Sequence, residues 1–85
     1  MLERELQITH PQGLHAQASA RLVQVLTPFR SQVTLIAKGR EVNAKSIMGV
    51  MLLAAGPGTT LRVRCTGEDE VETLAALVGL FESGF

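Results

Sequence analysis

The spacing of apolar residues changes between two periods along this chain, and that change restricts the possible folds more than any other feature of the sequence. Three segments alternate apolar and polar side chains, which predicts β-strands with one covered face, and a short fourth strand is predicted after a tight turn. Two segments repeat apolar residues at helical spacing, and a third is apolar and methionine-rich between a serine and a Gly-Pro-Gly stop. The predicted elements are, in order, strand 2–8, helix 16–27, strand 32–37, strand 40–43, helix 46–54, strand 60–66 and helix 68–82.

Glycine and proline mark the boundaries between these elements. Pro11 and Gly13 separate the first strand from the first helix, and Pro28 ends that helix. The segment Lys38–Arg40 predicts a tight turn between two strands. The resulting β-α-β-β-α-β-α order predicts an α+β layer, with three helices on one face of a four-stranded antiparallel sheet. A chain of 85 residues without repeats or linkers predicts a single domain, residues 1–85.

The amphipathic helices and the last strand also predict which side chains are buried. In the first helix the predicted core face combines Ala16, Ala20 and Val23, with Leu22 and Leu26 beside them. In the last helix it consists of Val71, Leu74, Leu77, Val78 and Phe81. Cys65 ends an alternating run and is therefore expected at a buried strand position.

Charge and composition exclude several classes of function. Eight basic and eight acidic residues give no net charge, which argues against a broad nucleic-acid-binding surface. A single cysteine can form neither an internal disulfide nor a cysteine-based metal cluster. The sequence contains neither a signal-peptide pattern nor the roughly 20 consecutive apolar residues that a membrane helix needs. We therefore expect a cytoplasmic protein that binds neither nucleic acid nor a membrane.

His15 is the candidate functional residue because it directly precedes the first predicted helix. The first backbone N–H groups of a helix have no partner within it, and the helix dipole adds partial positive charge there. Such a terminus binds anions, and a neutral imidazole is a competent nucleophile. His15 is thus either a simple surface or capping residue or the carrier of a phosphoryl group. His10 precedes a proline in a turn, and we interpret it as structural.

Two segments of the sequence resemble the signatures of one protein family. Gly13–Ala16, which reads GLHA, resembles the active-site motif of HPr, the histidine-containing phosphocarrier of the bacterial phosphotransferase system. Asn43–Met51 resembles the second signature of that family, around its regulatory serine. The spacing of the motifs and the order of the elements also agree, so the resemblance covers essentially the whole chain. The C-terminal segment Leu80–Phe85 is similar to the nitrogen-related branch of the family.

The resemblance implies a fold, a reaction and a set of partners. The fold is an open-faced β-sandwich, and the chain is expected to be a monomer. Enzyme I, charged by phosphoenolpyruvate, passes a phosphoryl group to Nδ1 of His15, which delivers it to an EIIA component. No metal or cofactor is needed by the carrier. HPr kinase/phosphorylase is the possible modifier of Ser46, which the local sequence independently predicts to be a helix N-cap. The implied partner-binding residues are Leu14, Arg21, Lys45, Ile47, Met48 and Met51.

The sequence departs from the family pattern at Gln17, where an arginine is usual. Arginine offers a permanent charge and a planar set of donors to phosphoryl oxygens, whereas glutamine offers one neutral amide donor group. We therefore expect phosphorylation that is slower but still present. The alternative is a regulatory protein-interaction module that keeps the docking surface and Ser46 and transfers phosphate poorly.

Overall fold

The computed structural model describes residues 1–83, and its element order is the one that the sequence predicts. The strands are β1 (Leu2–Gln7), β2 (Gln32–Ala37), β3 (Arg40–Asn43) and β4 (Thr60–Thr66), and the helices are α1 (Ala16–Leu26), α2 (Ile47–Leu53) and α3 (Glu70–Glu82). Gly84 and Phe85, which contribute to the resemblance to the nitrogen-related branch, lie outside the described residues.

The four strands form one antiparallel sheet in the order β1-β4-β2-β3. Leu61 of β4 pairs with Leu6 of β1, and Val63 of β4 pairs with Leu35 of β2. The inward-facing residues of β4 (Leu61, Val63 and Cys65) are fully buried beneath the helices. The predicted α+β architecture, an open sheet with three helices, is confirmed. So is the burial of Cys65, and this burial raises the pKa of its thiol.

The β2–β3 hairpin closes through a two-residue turn at Lys38 and Gly39. Both residues have positive φ angles, 53° and 75°, as a type I′ turn requires. The turn also supports α2, because Lys38 Nζ donates to the carbonyl oxygen of Ala54 at 2.8 Å. Arg40 of the same hairpin donates to the carbonyl oxygen of Leu52 at 2.9 Å. These two cations satisfy carbonyls at the negative end of the α2 dipole.

The buried face of α1 differs from the predicted one. It consists of Ala18, Ser19, Leu22 and Leu26, whereas Ala16 is exposed and Ala20 and Val23 are partly exposed. The prediction was correct for the two leucines and wrong for the face as a whole. Ser19 takes a core position because its hydroxyl donates to the carbonyl oxygen of Leu14 at 3.2 Å, so its polar group is not lost on burial.

The buried face of α3 is likewise rotated relative to the prediction. Val71 is 64% exposed, whereas Thr73 is completely buried. Thr73 can lie inside because its hydroxyl donates to the carbonyl oxygen of Asp69 at 2.7 Å. Of the other residues predicted on this face, Leu77, Val78 and Phe81 are buried and Leu74 is partly buried.

Asp69 joins the start of α3 to the start of β2. Its carboxylate accepts hydrogen bonds from the backbone N–H groups of Arg30 at 2.8 Å and Ser31 at 2.9 Å, and from the Ser31 hydroxyl. These donors favour the charged form, so they hold the pKa of the Asp69 carboxyl well below its usual range. The sequence analysis did not identify this contact.

Candidate phosphoryl-acceptor site

His15 is the N-cap residue of α1. Its backbone is extended, with φ −74° and ψ −178°, and its ring turns back over the helix terminus. Nδ1 accepts hydrogen bonds from the backbone N–H of Gln17 at 3.1 Å and of Ala18 at 3.5 Å. A nitrogen that accepts these bonds carries no proton, so the hydrogen bonds assign the proton of the neutral ring to Nε2. The nitrogen that faces the helix terminus is therefore the unprotonated one, and its lone pair accepts the two amides.

The loop before His15 is fixed to the segment that follows α2. Gly13 has a φ of +64°, and a Cβ atom there would lie 2.5 Å from the carbonyl oxygen of Ala55. Leu14 donates its backbone N–H to the same oxygen at 2.9 Å. Gly13 thus permits a close approach within the chain itself, and this approach sets the position of His15.

The start of α1 has an electrostatic character that favours an added anion. The first turn of the helix contains no acidic residue, so its free N–H groups and dipole are not neutralised. An open cleft of about 490 Å³ lies beside it, lined by His10, Gln12, His15, Gln17, Ala18, Arg21 and Ser83. Within residues 1–83, Arg21 is the permanently charged group among these lining residues. The cleft is thus polar and positively charged.

Gln17 lies in the place that the sequence analysis assigned to it, at the helix start beside His15. It lines the cleft, and its backbone N–H is the nearer of the two donors to His15 Nδ1. Its neutral side chain leaves the first turn of α1 without a cation. Arg21 lies one turn further on, exposed on the helix and at the wall of the same cleft.

His10 is a residue whose proximity to the site the sequence analysis missed. Its predicted structural role in the turn is present, since His10 Nδ1 accepts the backbone N–H of Gln12 at 3.1 Å. Its ring, however, also lines the cleft, with the centroid 5.0 Å from that of His15 and the planes at 59°. The only available signal was two histidines flanking a Pro-Gln-Gly turn, which brings the ends of a short loop together.

Ser46 has the capping role that the sequence predicts. Its hydroxyl oxygen accepts the backbone N–H of Gly49 at 3.1 Å at the start of α2. The helix ends earlier than predicted, at Leu53, because Ala54 adopts a left-handed conformation with φ 51°. The first turn of α2, like that of α1, contains no acidic residue.

The exposed face of α2 carries four large apolar side chains. Ile47 is 43% exposed, Met48 73%, Met51 45% and Leu52 64%, and we call this group the α2 apolar surface. Soluble chains bury such residues unless a contiguous patch is used for contact with a partner. The segment that follows α2 contacts the His15 loop, through the hydrogen bond from the backbone N–H of Leu14 to the carbonyl oxygen of Ala55.

Of the predicted partner-binding residues, Leu14 is buried, and Lys45 is partly buried and held by a hydrogen bond within the chain. The Leu14 side chain is 6% exposed and belongs to the core, so it supports the His15 loop and offers almost no contact area. The Lys45 ammonium group donates to the carbonyl oxygen of Phe29 at 2.6 Å, which ties it to the end of the α1–β2 connection. The other predicted partner-binding residues, Arg21, Ile47, Met48 and Met51, are exposed.

In the described part of the chain, no group of three or more metal-ligating side chains lies close enough to hold a metal ion. Within residues 1–83, no helix is long and apolar enough to cross a bilayer.

The chain is similar to known proteins over its whole length. A family model described as "PTS HPr component phosphorylation site" matches residues 2–83. The phosphocarrier protein HPr of Xylella fastidiosa is 61% identical over 85 residues, which cover 100% of this chain and 96% of that protein. The crystal structure of HPr-C-His from Thermoanaerobacter tengcongensis matches with a TM-score of 0.96 at 41% identity, covering 100% of this chain and 96% of that one. A crystal structure of an HPr dimer from the same organism matches at 41% identity with a TM-score of 0.77, covering 98% and 95%. The family match over nearly the full length, together with these relatives, shows that the chain belongs to the HPr family of phosphocarrier proteins of the phosphotransferase system.

Proposed function

We propose that this chain accepts a phosphoryl group from enzyme I on Nδ1 of His15 and passes it to an EIIA-type protein. One observation carries the proposal: an unprotonated Nδ1 accepts the first amides of an α-helix whose first turn contains no acidic residue. The lone pair makes the ring a nucleophile, and the amides provide a site for the negative charge of the phosphoryl group. The proposed setting is the cytoplasm, with the chain acting as a monomer.

The transfer needs no proton movement on His15. The Nδ1 lone pair attacks the phosphorus atom held by the donor, a P–N bond forms, and the bond from phosphorus to the donor breaks with its electron pair leaving on the donor. Nε2 keeps its proton during the attack, so the ring that now bears phosphorus on Nδ1 is an imidazolium, and the negative charge of the transferred group resides on the phosphoryl oxygens. Delivery to the EIIA-type protein is the reverse displacement at phosphorus.

Phosphorylation must replace the hydrogen bonds that Nδ1 makes in the resting protein. The lone pair that attacks phosphorus is the same one that accepts from Gln17 and Ala18. We expect the ring to turn toward the cleft, so that phosphoryl oxygens take over the two amides. Charge-assisted hydrogen bonds are about twice as strong as neutral ones, so this exchange favours the phosphorylated state.

Gln17 supports a second candidate function, a regulatory module with weak phosphotransfer. An arginine in its place would contribute a charged hydrogen bond worth about 1.5–3 kcal/mol, which glutamine lacks. A chain that binds its partners through the α2 apolar surface while transferring phosphate slowly would act by occupying them. The two candidates differ in rate and not in architecture.

Ser46 is a candidate site of regulatory phosphorylation by HPr kinase/phosphorylase. Its hydroxyl is partly exposed and lies at a helix N-terminus, where a phosphate is stabilised by the free amides. The phosphate would also place negative charge beside the α2 apolar surface. An acidic partner would then be repelled from the face that we propose for docking.

The proposed docking face combines the α2 apolar surface with Arg21. Methionine side chains adapt to differently shaped partners, which suits a carrier that must meet both a donor and an acceptor. The exposed guanidinium of Arg21 would raise the rate of association with acidic partners more than their affinity.

Intact-mass measurement tests the carrier function. Incubation with enzyme I and phosphoenolpyruvate is expected to add one phosphate on His15, and addition of an EIIA-type protein is expected to remove it. A protein that binds both partners but gains no phosphate would support the regulatory candidate instead. Binding that persists in a His15→Ala variant would support that candidate further.

A further inference from the structure

His10 lies against His15 in a way that neither the turn nor the core requires. Its Nδ1 is used by the backbone N–H of Gln12, which any small acceptor could satisfy. The rest of the imidazole lines the cleft beside His15. The ring centroids of His10 and His15 are 5.0 Å apart. At this distance, His10 can contact a phosphoryl group on His15 directly or through one water molecule.

We infer, on the basis of the proposed function, that His10 is a positioning residue of the phosphoryl site, whose protonated imidazole binds the phosphoryl group carried by His15. The protonated His10 ring would supply the cationic donor that Gln17 lacks at the start of α1. Unlike an arginine, the His10 ring is charged only when both of its nitrogens are protonated, and its Nδ1 then no longer accepts the backbone N–H of Gln12. The stability of the phosphorylated state therefore depends on pH over the range in which a histidine titrates.

The charges that face His10 favour this coupling. In the described part of the chain, the titratable and charged side chains lining the cleft are His10, His15 and Arg21, and the other lining residues are neutral. No carboxylate among these lining residues competes for the His10 cation. A phosphoryl group on His15 would introduce the negative charge, so phosphorylation and His10 protonation stabilise each other reciprocally.

The chain itself suggests the matched variant. Asn43 Oδ1 accepts the backbone N–H of Lys45 at 2.9 Å, the same contact between residues two apart that His10 Nδ1 makes with Gln12. His10→Asn therefore keeps the turn and removes the ring. Arg21→Gln is the second control, because it removes a charge that does not titrate in this range.

The test uses phosphoramidate, a chemical phosphoryl donor for histidine, so that it does not depend on enzyme I. The imidazole C–H signals of His10 and His15 are followed by NMR across pH before and after phosphorylation of His15. The signals that disappear in His10→Asn are assigned to His10. We expect the pH at which His10 loses its proton to rise by about 0.5–1 unit on phosphorylation. We also expect His10→Asn to slow phosphorylation about 3- to 10-fold near pH 6 and hardly at all near pH 8. Arg21→Gln is expected to slow it equally at both.

The outcomes separate this inference from the proposed function. A His10 titration that does not move on phosphorylation, or a His10→Asn rate with an unchanged pH profile, overturns the role of His10 even if enzyme I phosphorylates the protein. A shifted titration in a protein that enzyme I fails to phosphorylate supports the His10 role and overturns the partner assignment. Failure of both phosphoramidate and enzyme I to modify His15 overturns both.

Discussion

The N-termini of α1 and α3 differ in the charge of the groups that surround them. Both helices begin with unpaired amides and a positive dipole end. α1 presents one neutral acceptor, Nδ1 of His15, and no acidic residue in its first turn. α3 has Asp69 at its N-cap position and Glu70 and Glu72 in its first turn. The carboxylate of Asp69 makes no capping bond to its own helix and instead holds the start of β2.

The difference separates a terminus that stabilises the fold from one that is available for chemistry. At α3, fixed carboxylates already offset the dipole, so an additional anion would meet repulsion. At α1, the neutral ring of His15 accepts the amide hydrogen bonds in the resting protein, and a phosphoryl group, which is a stronger acceptor, can replace it. The comparison therefore predicts that substitutions at α1 alter phosphorylation and that substitutions at α3 alter stability.

The largest expected effect comes from replacing the nucleophile while keeping the cap. In His15→Asn, the side-chain oxygen still accepts an amide at the start of α1, since asparagine is among the best N-caps. We expect no detectable phosphate from enzyme I and phosphoenolpyruvate by intact mass, and an unfolding midpoint in urea close to that of the parent protein. Phosphate found on this variant would show that a residue other than His15 accepts the phosphoryl group.

Restoring a permanent charge at α1 is expected to have the next largest effect. Gln17→Arg should accelerate phosphorylation about 10- to 100-fold, because one charged hydrogen bond to the phosphoryl group is added. Gln24→Arg is the matched control, since Gln24 is exposed on the same helix and does not line the cleft. Quenched-flow measurement of phosphohistidine distinguishes them. Equal rates for Gln17→Arg and the parent protein would show that charge at this position does not limit transfer.

At α3 the expected effect is on stability and its dependence on pH. The lowered pKa of Asp69 means that its contribution is fully present above the unfolded-state value of about 4 and is lost as the pH falls below it. Asp69→Asn should reduce stability at neutral pH and flatten the loss in acid, while the rate of phosphorylation stays unchanged.

Glu68→Gln provides the control for that measurement. Glu68 is 84% exposed and pairs with Arg30 at 3.6 Å, so its loss removes a similar charge from a solvated surface pair. Urea denaturation of the two variants from neutral to acid pH is the measurement. If Asp69→Asn were no more destabilising than Glu68→Gln, or if it slowed phosphorylation, the division between the two helix termini would be wrong.

The parts of this molecule that the sequence predicted depend on local patterns. The strands, the helices and the caps at His15 and Ser46 follow from periodicity and from residues adjacent in the chain. The missed features all depend on distant or non-periodic partners. Asp69 meets Ser31 across 38 positions, and His10 reaches His15 only once the intervening turn is formed. Ser19 and Thr73 are buried because of hydrogen bonds that no hydrophobic pattern contains.

The start of α2 offers the smallest and most discriminating test of the comparison. Like α1, it has a neutral cap, Ser46, and a first turn without acidic residues. Ser46→Ala should cost about 1 kcal/mol of unfolding free energy in urea, because the amide of Gly49 loses its acceptor. Ser46→Asp should recover that loss, since a carboxylate caps the helix and interacts favourably with its dipole. An aspartate variant as unstable as the alanine variant would show that the start of α2 does not accommodate an anion. The starts of α1 and α2 would then share a neutral cap and a first turn without acidic residues but not the ability to bind an anion.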